Sequence, residues 1–186
     1  MTFHIPRGQW PLDFDLYKNF FERLGFEERE EGDFLVLPGG ADLGVRVARD
    51  EHEKQKYHEY ISSSRPVIGI CRGFQLAMIE SGACLVEHLP DNFNQIKHTT
   101  FTGDWRGSSA WHTTKLGLLT NTRHHQGFSE VPDGWKIIDS TIDSVVEAGV
   151  SSHCFGVQWH PEKEEMTKTS AEEWYVEFLR YYLRKL

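Results

Sequence analysis

The stretch Pro66-Val67-Ile68-Gly69-Ile70-Cys71-Arg72-Gly73-Phe74-Gln75 decides the fold. Residues 66–70 form a compact apolar run of strand length, and residues 74–79 behind it are apolar with good helix formers. The chain between them must turn abruptly from a buried strand into a helix. Glycines two positions either side of Cys71 permit that turn and close packing beneath it, and the cysteine is lifted to the N-terminal end of the helix, whose positive potential favours a thiolate. A lone cysteine after a strand is more often an inert small core residue. Framed by Gly69 and Gly73, it reads instead as a nucleophile elbow with Cys in place of Ser.

Upstream of the elbow, Phe14, Tyr17, Phe20, Phe21 and Leu24 recur at helical intervals between Pro11 and Gly25, predicting an amphipathic first helix. Residues 33–37 form a short buried strand stopped by Pro38, Gly39 and Gly40. Residues 46–64 are highly charged with sparse apolar positions, as expected of a solvated helix ended by Arg65 and Pro66. Helix, strand, helix, strand, helix in this order, with strands too apolar to alternate, predicts an α/β three-layer sandwich with a mostly parallel central sheet. Downstream, residues 92–107 are polar without a clear period, and residues 111–116, 135–142, 145–148 and 155–159 read as strands. Ser170 with Glu173 forms a capping box, and Trp174, Phe178, Tyr181 and Tyr182 give a closing helix its apolar stripe.

At 186 residues the chain reads as a single domain over 1–186. Lys plus Arg is 20 against 28 Asp plus Glu, a net charge of −8, which disfavours a phosphate-tracking nucleic-acid surface. No apolar run is long enough to span a membrane, and Pro6, Arg7 and Gly8 interrupt any signal-peptide core, so a cytoplasmic protein is expected. Cys71, Cys84 and Cys154 are odd in number and widely spaced. This fits neither a disulfide framework nor a metal site, and Cys84 and Cys154, lacking flanking glycines, read as core thiols.

A cysteine nucleophile needs a base. His160 and Glu162 follow the strand at 155–159, and residues two apart on an extended segment point to the same side about 6.5 Å apart. The carboxylate can then orient the imidazole toward the thiol as a Cys-His-carboxylate triad. A Pro-terminated strand with two solvated polar residues is the bland alternative. Gly39 and Gly40, at the carboxyl end of a sheet strand, let backbone N–H groups approach a developing oxyanion, although Pro-Gly-Gly is also ordinary turn chemistry.

Pro38-Gly39-Gly40, Gly69-Ile70-Cys71-Arg72-Gly73-Phe74-Gln75 and Gly156-Val157-Gln158-Trp159-His160-Pro161-Glu162 together resemble the signatures of class I glutamine amidotransferase domains, whose sheet is flavodoxin-like. Within that superfamily Cys-Arg-Gly, Arg49-Asp50-Glu51, Asn121-Thr122-Arg123-His124-His125-Gln126 and Val146-Glu147-Ala148 are similar to the γ-glutamyl hydrolase (peptidase C26) branch, which includes the γ-glutamyl-γ-aminobutyrate hydrolases. The resemblance runs from Ile5 to Glu162. It implies Cys71 as nucleophile, His160 as general base and later acid, and Glu162 as its orienting carboxylate. It also implies an oxyanion hole from the N–H groups of Gly40 and Arg72, and substrate contacts at Gly39, Gln75, His124 and Gln126. The family's opening strand is reduced here to Ile5-Pro6-Arg7, and His112 reads as structural.

The implied activity is hydrolysis of a γ-glutamyl amide, glutamine included, through a thioester, with no metal or organic cofactor. Two alternatives stand beside it. One is a glutaminase subunit delivering ammonia to a synthase on a separate chain, since no Gly-x-x-x-x-Gly-Lys loop occurs here; the other is a catalytically silent binding module. Trp105, Arg106 and Trp111 either line a pocket for the amine half of the substrate or simply pack.

Overall fold

The computed structural model describes residues 1–9, 12–89 and 110–186. Pro11, Trp105, Arg106 and the 92–107 stretch lie outside the described residues. A seven-stranded sheet runs in the order β2 (Glu27–Glu28), β1 (Thr2–His4), β3 (Phe34–Leu37), β4 (Val67–Ile70), β9 (Cys154–Val157), β8 (Val146–Val150), β7 (Lys136–Ser140). The five strands from β2 to β9 are mutually parallel, and β8 and β7 continue antiparallel. The expected mostly parallel α/β sandwich is the fold observed.

Alternation along the central strands separates two cores, because successive side chains on a strand leave opposite faces. Phe34, Val36, Ile68, Ile70, Phe155 and Val157 face α1 (Phe14–Arg23) and α4 (Ser170–Arg184). Leu35, Leu37, Val67 and Cys154 face α2 (Val47–Ser62) and α3 (Arg72–Glu80). On this second face Gly69 and Gly156 pair across β4 and β9. A Cβ on Gly156 would stand 2.3 Å from the Phe74 ring, and one on Gly69 2.6 Å from the Phe74 backbone, so the two glycines let α3 lie directly on the sheet.

Four local expectations are corrected. The charged helix at 46–64 is not simply solvated: α2 buries Arg49, Asp50 and Glu53 beside Tyr57 and Tyr60. The closing helix is capped by Thr169, whose hydroxyl accepts from the Glu172 N–H at 3.1 Å, one residue before the expected Ser170 box. Cys154 is buried as expected, whereas Cys84 is exposed, because the chain has left α3 there. The strand expected at 111–116 is β5 (Ala110–Thr113), and it pairs antiparallel with an unforeseen partner, β6 (Leu119–Thr122), in a separate two-stranded sheet. No described helix is long and apolar enough to cross a membrane.

Candidate active site

Adjacent parallel strands end on the same edge of a sheet. The chain leaving β3 at Pro38-Gly39-Gly40, the chain leaving β4 at Cys71, and the chain leaving β9 toward His160 therefore open into one crevice. Cys71 has φ 51° and ψ −112°, a left-handed conformation that costs a residue with a Cβ about 1–3 kcal/mol unless its surroundings over-determine it. Here they do. The Cys71 N–H donates to Val157 O at 2.8 Å, its carbonyl accepts from Gln75 N–H at 3.0 Å, and Gly73 lies so close to β3 that a Cβ would stand 2.0 Å from Leu37 O.

Around this sulfur the structure gathers the expected partners. His160 Nδ1 and Glu162 Oε1 are 2.8 Å apart, which leaves Nε2 as the ring nitrogen free of the carboxylate, and the ring lies near Cys71: a Cβ on Gly39 would stand 2.8 Å from His160 Cε1 and 3.4 Å from Cys71 Cβ. All three side chains are buried. Burial by itself pulls the His160 pKa down, but the Glu162 carboxylate and the Cys71 sulfur outweigh it and hold the imidazole up at about 10. Asn121 on β6 locks the ring's backbone from both sides: its Oδ1 accepts from the His160 N–H at 2.9 Å and its Nδ2 donates to His160 O at 3.2 Å.

The glycine turn is held just as firmly. A Cβ on Gly39 would meet His160 Cε1 at 2.8 Å, Tyr17 Oη at 3.0 Å and Cys71 Cβ at 3.4 Å, so only glycine fits between these groups. The Gly39 N–H donates to Tyr17 Oη at 3.1 Å and is thus engaged within the protein. Arg49 Nη2 donates to the carbonyls of Pro38 and Gly39 at 3.1 and 2.8 Å. In a trans peptide C=O and N–H point opposite ways, so the Gly40 N–H points away from the guanidinium. Arg49 Nε also donates to Glu53 Oε1 at 2.7 Å, while Arg72 donates to Glu53 Oε2 and Asp50 Oδ1. Asp50 Oδ2 in turn accepts from the Gly44 N–H at 2.7 Å. Two arginines and two carboxylates therefore form a neutral buried quartet that ties the glycine turn to the first residue of the elbow helix. The Arg72 N–H, in the first turn of α3, has no intrahelical acceptor.

Gln75 Nε2 donates to Gln126 O at 3.1 Å and Gln158 Oε1 at 3.2 Å, and Gln158 Nε2 lies 3.6 Å from Cys71 Sγ. His124 Nδ1 also meets Gln126 O, at 2.8 Å. Behind it Glu147 is buried between His112 Nε2 at 3.2 Å and His124 Nε2 at 3.6 Å. His112 thus has the inward position expected of a structural residue. Gln126 reaches Glu87 with its side-chain amide, and His125 Nε2 meets Asp42 beyond the glycine turn at 2.8 Å. Trp111 is partly exposed on β5. Among the described residues no group of His, Cys, Asp or Glu side chains could hold a metal ion.

Sequence reasoning missed Tyr17, Asn121, Glu53 and Gln158. A signal existed for Glu53: positions 49, 53, 57 and 60 form one helical stripe in which Arg49 and Glu53 stand in line with Tyr57 and Tyr60, where apolar residues would be expected. Tyr17 was legible only as part of an apolar stripe.

Residues 37–162 match the family model of Peptidase C26. The chain is 30% identical over 155 residues to the glutamine amidotransferase-like protein YvdE of Lactococcus lactis, covering 70% of this chain and 66% of that protein. It is 24% identical over 164 residues to the gamma-glutamyl-CDP-amidate hydrolase of Campylobacter jejuni, covering 83% and 69% respectively. In fold it is similar to the crystal structure of a glutamine amidotransferase from Thermotoga maritima, with a TM-score of 0.63 at 17% identity over 97% of this chain and 84% of the other. The matched part of the chain thus spans just under two thirds of YvdE's length. With the family model covering the whole run from the glycine turn to Glu162, this chain belongs to the peptidase C26 family of the class I glutamine amidotransferase superfamily.

Proposed function

We propose that the protein is a cysteine-dependent hydrolase of γ-glutamyl amides, with Cys71 as nucleophile, His160 as its proton-transfer partner and Glu162 as the orienting carboxylate. The observation that carries this reading is the buried His160 ring, bonded to Glu162 at 2.8 Å and set against the glycine turn together with the elbow cysteine. With the imidazole held at about 10, His160 is an imidazolium at neutral pH, and in this reading the attacking form of Cys71 is the thiolate beside it.

The thiolate adds to the γ-carbonyl carbon, and the carbonyl π electrons move to oxygen, where the N–H groups of Gly40 and Arg72 receive the charge. As the tetrahedral intermediate collapses the C–N bond breaks, and His160 gives its proton to the departing amine. The neutral imidazole then takes a proton from water, which attacks the thioester. Glutamate leaves, and the thiolate–imidazolium pair is restored. The resemblance supports placing Gln75, His124 and Gln126 along the substrate. The hydrolase named from Campylobacter jejuni supports a γ-glutamyl amide as substrate class, with glutamine as its simplest member.

The test is release of glutamate and amine from a panel of γ-glutamyl amides, with glutamine included. Cys71→Ala should lower kcat by about 10⁴-fold or more while leaving thermal unfolding in place. The plot of kcat/KM should fall as pH rises through about 10, where His160 loses its proton. A γ-glutamyl chloromethyl ketone should add one equivalent to Cys71, read by peptide mass. Full glutaminase activity only on addition of a synthase would move the reading to the ammonia-supplying subunit. No turnover and no adduct on Cys71 would leave the binding module.

A further inference from the structure

Gln158 follows β9 directly and is fully buried, its backbone N–H fixed to Glu147 O at 2.8 Å. Its side-chain Nε2 is 3.6 Å from Cys71 Sγ, within reach of an N–H···S hydrogen bond. An amide could present either end to the sulfur, and only the nitrogen would help a thiolate. The neighbouring contacts decide which end it is. Gln126 O is a backbone carbonyl and can only accept, so the Gln75 amide must turn its nitrogen toward it, at 3.1 Å. The same nitrogen, with its second proton, faces Gln158 at 3.2 Å and requires an oxygen there. With its oxygen committed to Gln75, Gln158 has only its NH₂ group left for Sγ. The direction of the whole chain, from Gln126 O through Gln75 and Gln158 to Cys71, is thus anchored at a backbone group that cannot flip.

We propose that Gln158 is a catalytic residue that donates an N–H to Cys71 Sγ, and that Gln75 is the positioning residue that keeps its amide turned that way. This rests on Cys71 being the nucleophile. Gln158 then complements His160, the proton-transfer partner of the proposed mechanism. His160 leaves the pairing when it gives its proton to the amine, whereas Gln158 has no proton to give up and stays through the cycle. It therefore stays on the sulfur while His160 is neutral, between departure of the amine and attack of water, and is still in place when the thiolate is expelled. Gln75, whose backbone N–H also bonds Cys71 O at 3.0 Å, ties the amide chain to the elbow itself.

The experiment is the rate of Cys71 alkylation by iodoacetamide as a function of pH, read by peptide mass so that the exposed Cys84 serves as the internal reference thiol. It needs no substrate. In the parent protein half-maximal reactivity at Cys71 should fall well below that of Cys84. Gln158→Met, which keeps the volume and removes the donor, should raise the Cys71 midpoint by about one pH unit, equivalent to about a tenfold loss of thiolate at a fixed pH below it. Gln75→Met leaves Gln158 in place, adds no charge near the sulfur and removes the donor that holds the Gln158 oxygen. The Gln158 amide is then no longer kept with its nitrogen on the sulfur and the midpoint should rise in the same direction by a smaller amount, which carries the test if Q158M does not fold. A parent midpoint well below Cys84 that neither variant moves would overturn the inference and leave the nucleophile standing. A parent Cys71 profile that coincides with Cys84 would overturn the nucleophile reading itself.

Discussion

Two buried polar clusters flank the crevice, and they are built from different chemistry. Behind the glycine turn, Arg49, Asp50, Glu53 and Arg72 interleave two guanidinium groups with two carboxylates, and Asp50 also binds a backbone N–H. Behind the Gln126 segment, Glu147 sits between two imidazoles, His112 and His124. The first cluster is built from guanidinium groups and carboxylates, the second from one carboxylate and two imidazoles, the side chain whose ordinary pKa lies nearest neutrality. A pH response is therefore expected on the side of β5 and β8, where Glu147 is held down at about 2 and His112 is shifted up.

The largest effect should come from breaking the quartet. Glu53 is wholly buried and accepts from both Arg49 and Arg72, so Glu53→Gln leaves two guanidinium groups facing one carboxylate in a site without water access. Removing one partner of a buried ionic cluster costs about 3–5 kcal/mol, because the remaining charge stays uncompensated. Urea unfolding at neutral pH should show a loss of that size. A loss below about 1 kcal/mol would mean that the quartet is solvated in solution and that the contrast with the imidazole cluster is false.

Next in size is Glu147→Gln, and here the effect should depend on pH. Burial raises a carboxyl pKa, yet His112 and His124 hold Glu147 down at about 2, from an ordinary 4.5. Its stabilisation is therefore fully present above about 4.5 and disappears as pH falls through about 2. Burial lowers the His112 pKa, but the Glu147 charge outweighs it and the net shift is upward from 6.5. That stabilisation is fully present below 6.5 and is lost as pH rises through the folded-state value. Both contributions coincide only between about 4.5 and 6.5. Glu147→Gln should cost about 1.5–3 kcal/mol in that window, the range for hydrogen bonds to charged groups, and less on either side of it. A cost independent of pH would show that the cluster is held by packing instead of charge.

The contrast also explains what was legible in the sequence. The elbow could be read because its demands are local: Gly69, Cys71 and Gly73 satisfy one turn within five residues. The meeting of Cys71 with His160 could be read because buried, apolar strands imply a parallel sheet, and a parallel sheet brings strand ends to one edge. Tyr17 could not be assigned a polar role, because its spacing is that of a core residue and only the packing angle of α1 brings its hydroxyl to the Gly39 N–H. Asn121 was hidden for a related reason. Leu119-Thr120-Asn121-Thr122 is too polar to read as a strand, and its amide finds His160 across 39 residues of chain through a hairpin outside the main sheet. Charge along residues 46–64 marks a solvated helix only while each charge lacks a partner, and the neutrality of the quartet lets four charged groups be buried together.

The smallest effect calibrates the other two. Thr169 caps α4 on the far side of the sheet from the quartet, its hydroxyl accepting from the Glu172 N–H at 3.1 Å and donating to Met166 O at 2.7 Å. Neither bond of the hydroxyl requires a proton to be gained or lost. Thr169→Ala should cost about 1 kcal/mol, the usual worth of a threonine N-cap, and the same cost should be found at pH 5.5 and at pH 7.5. Measured beside Glu147→Gln in the same urea series, it separates a pH response seated in the imidazole cluster from one spread over the whole fold. If Thr169→Ala showed the same pH dependence as Glu147→Gln, the titration would belong to the chain at large, and the division of labour between the two sides of the crevice would fail.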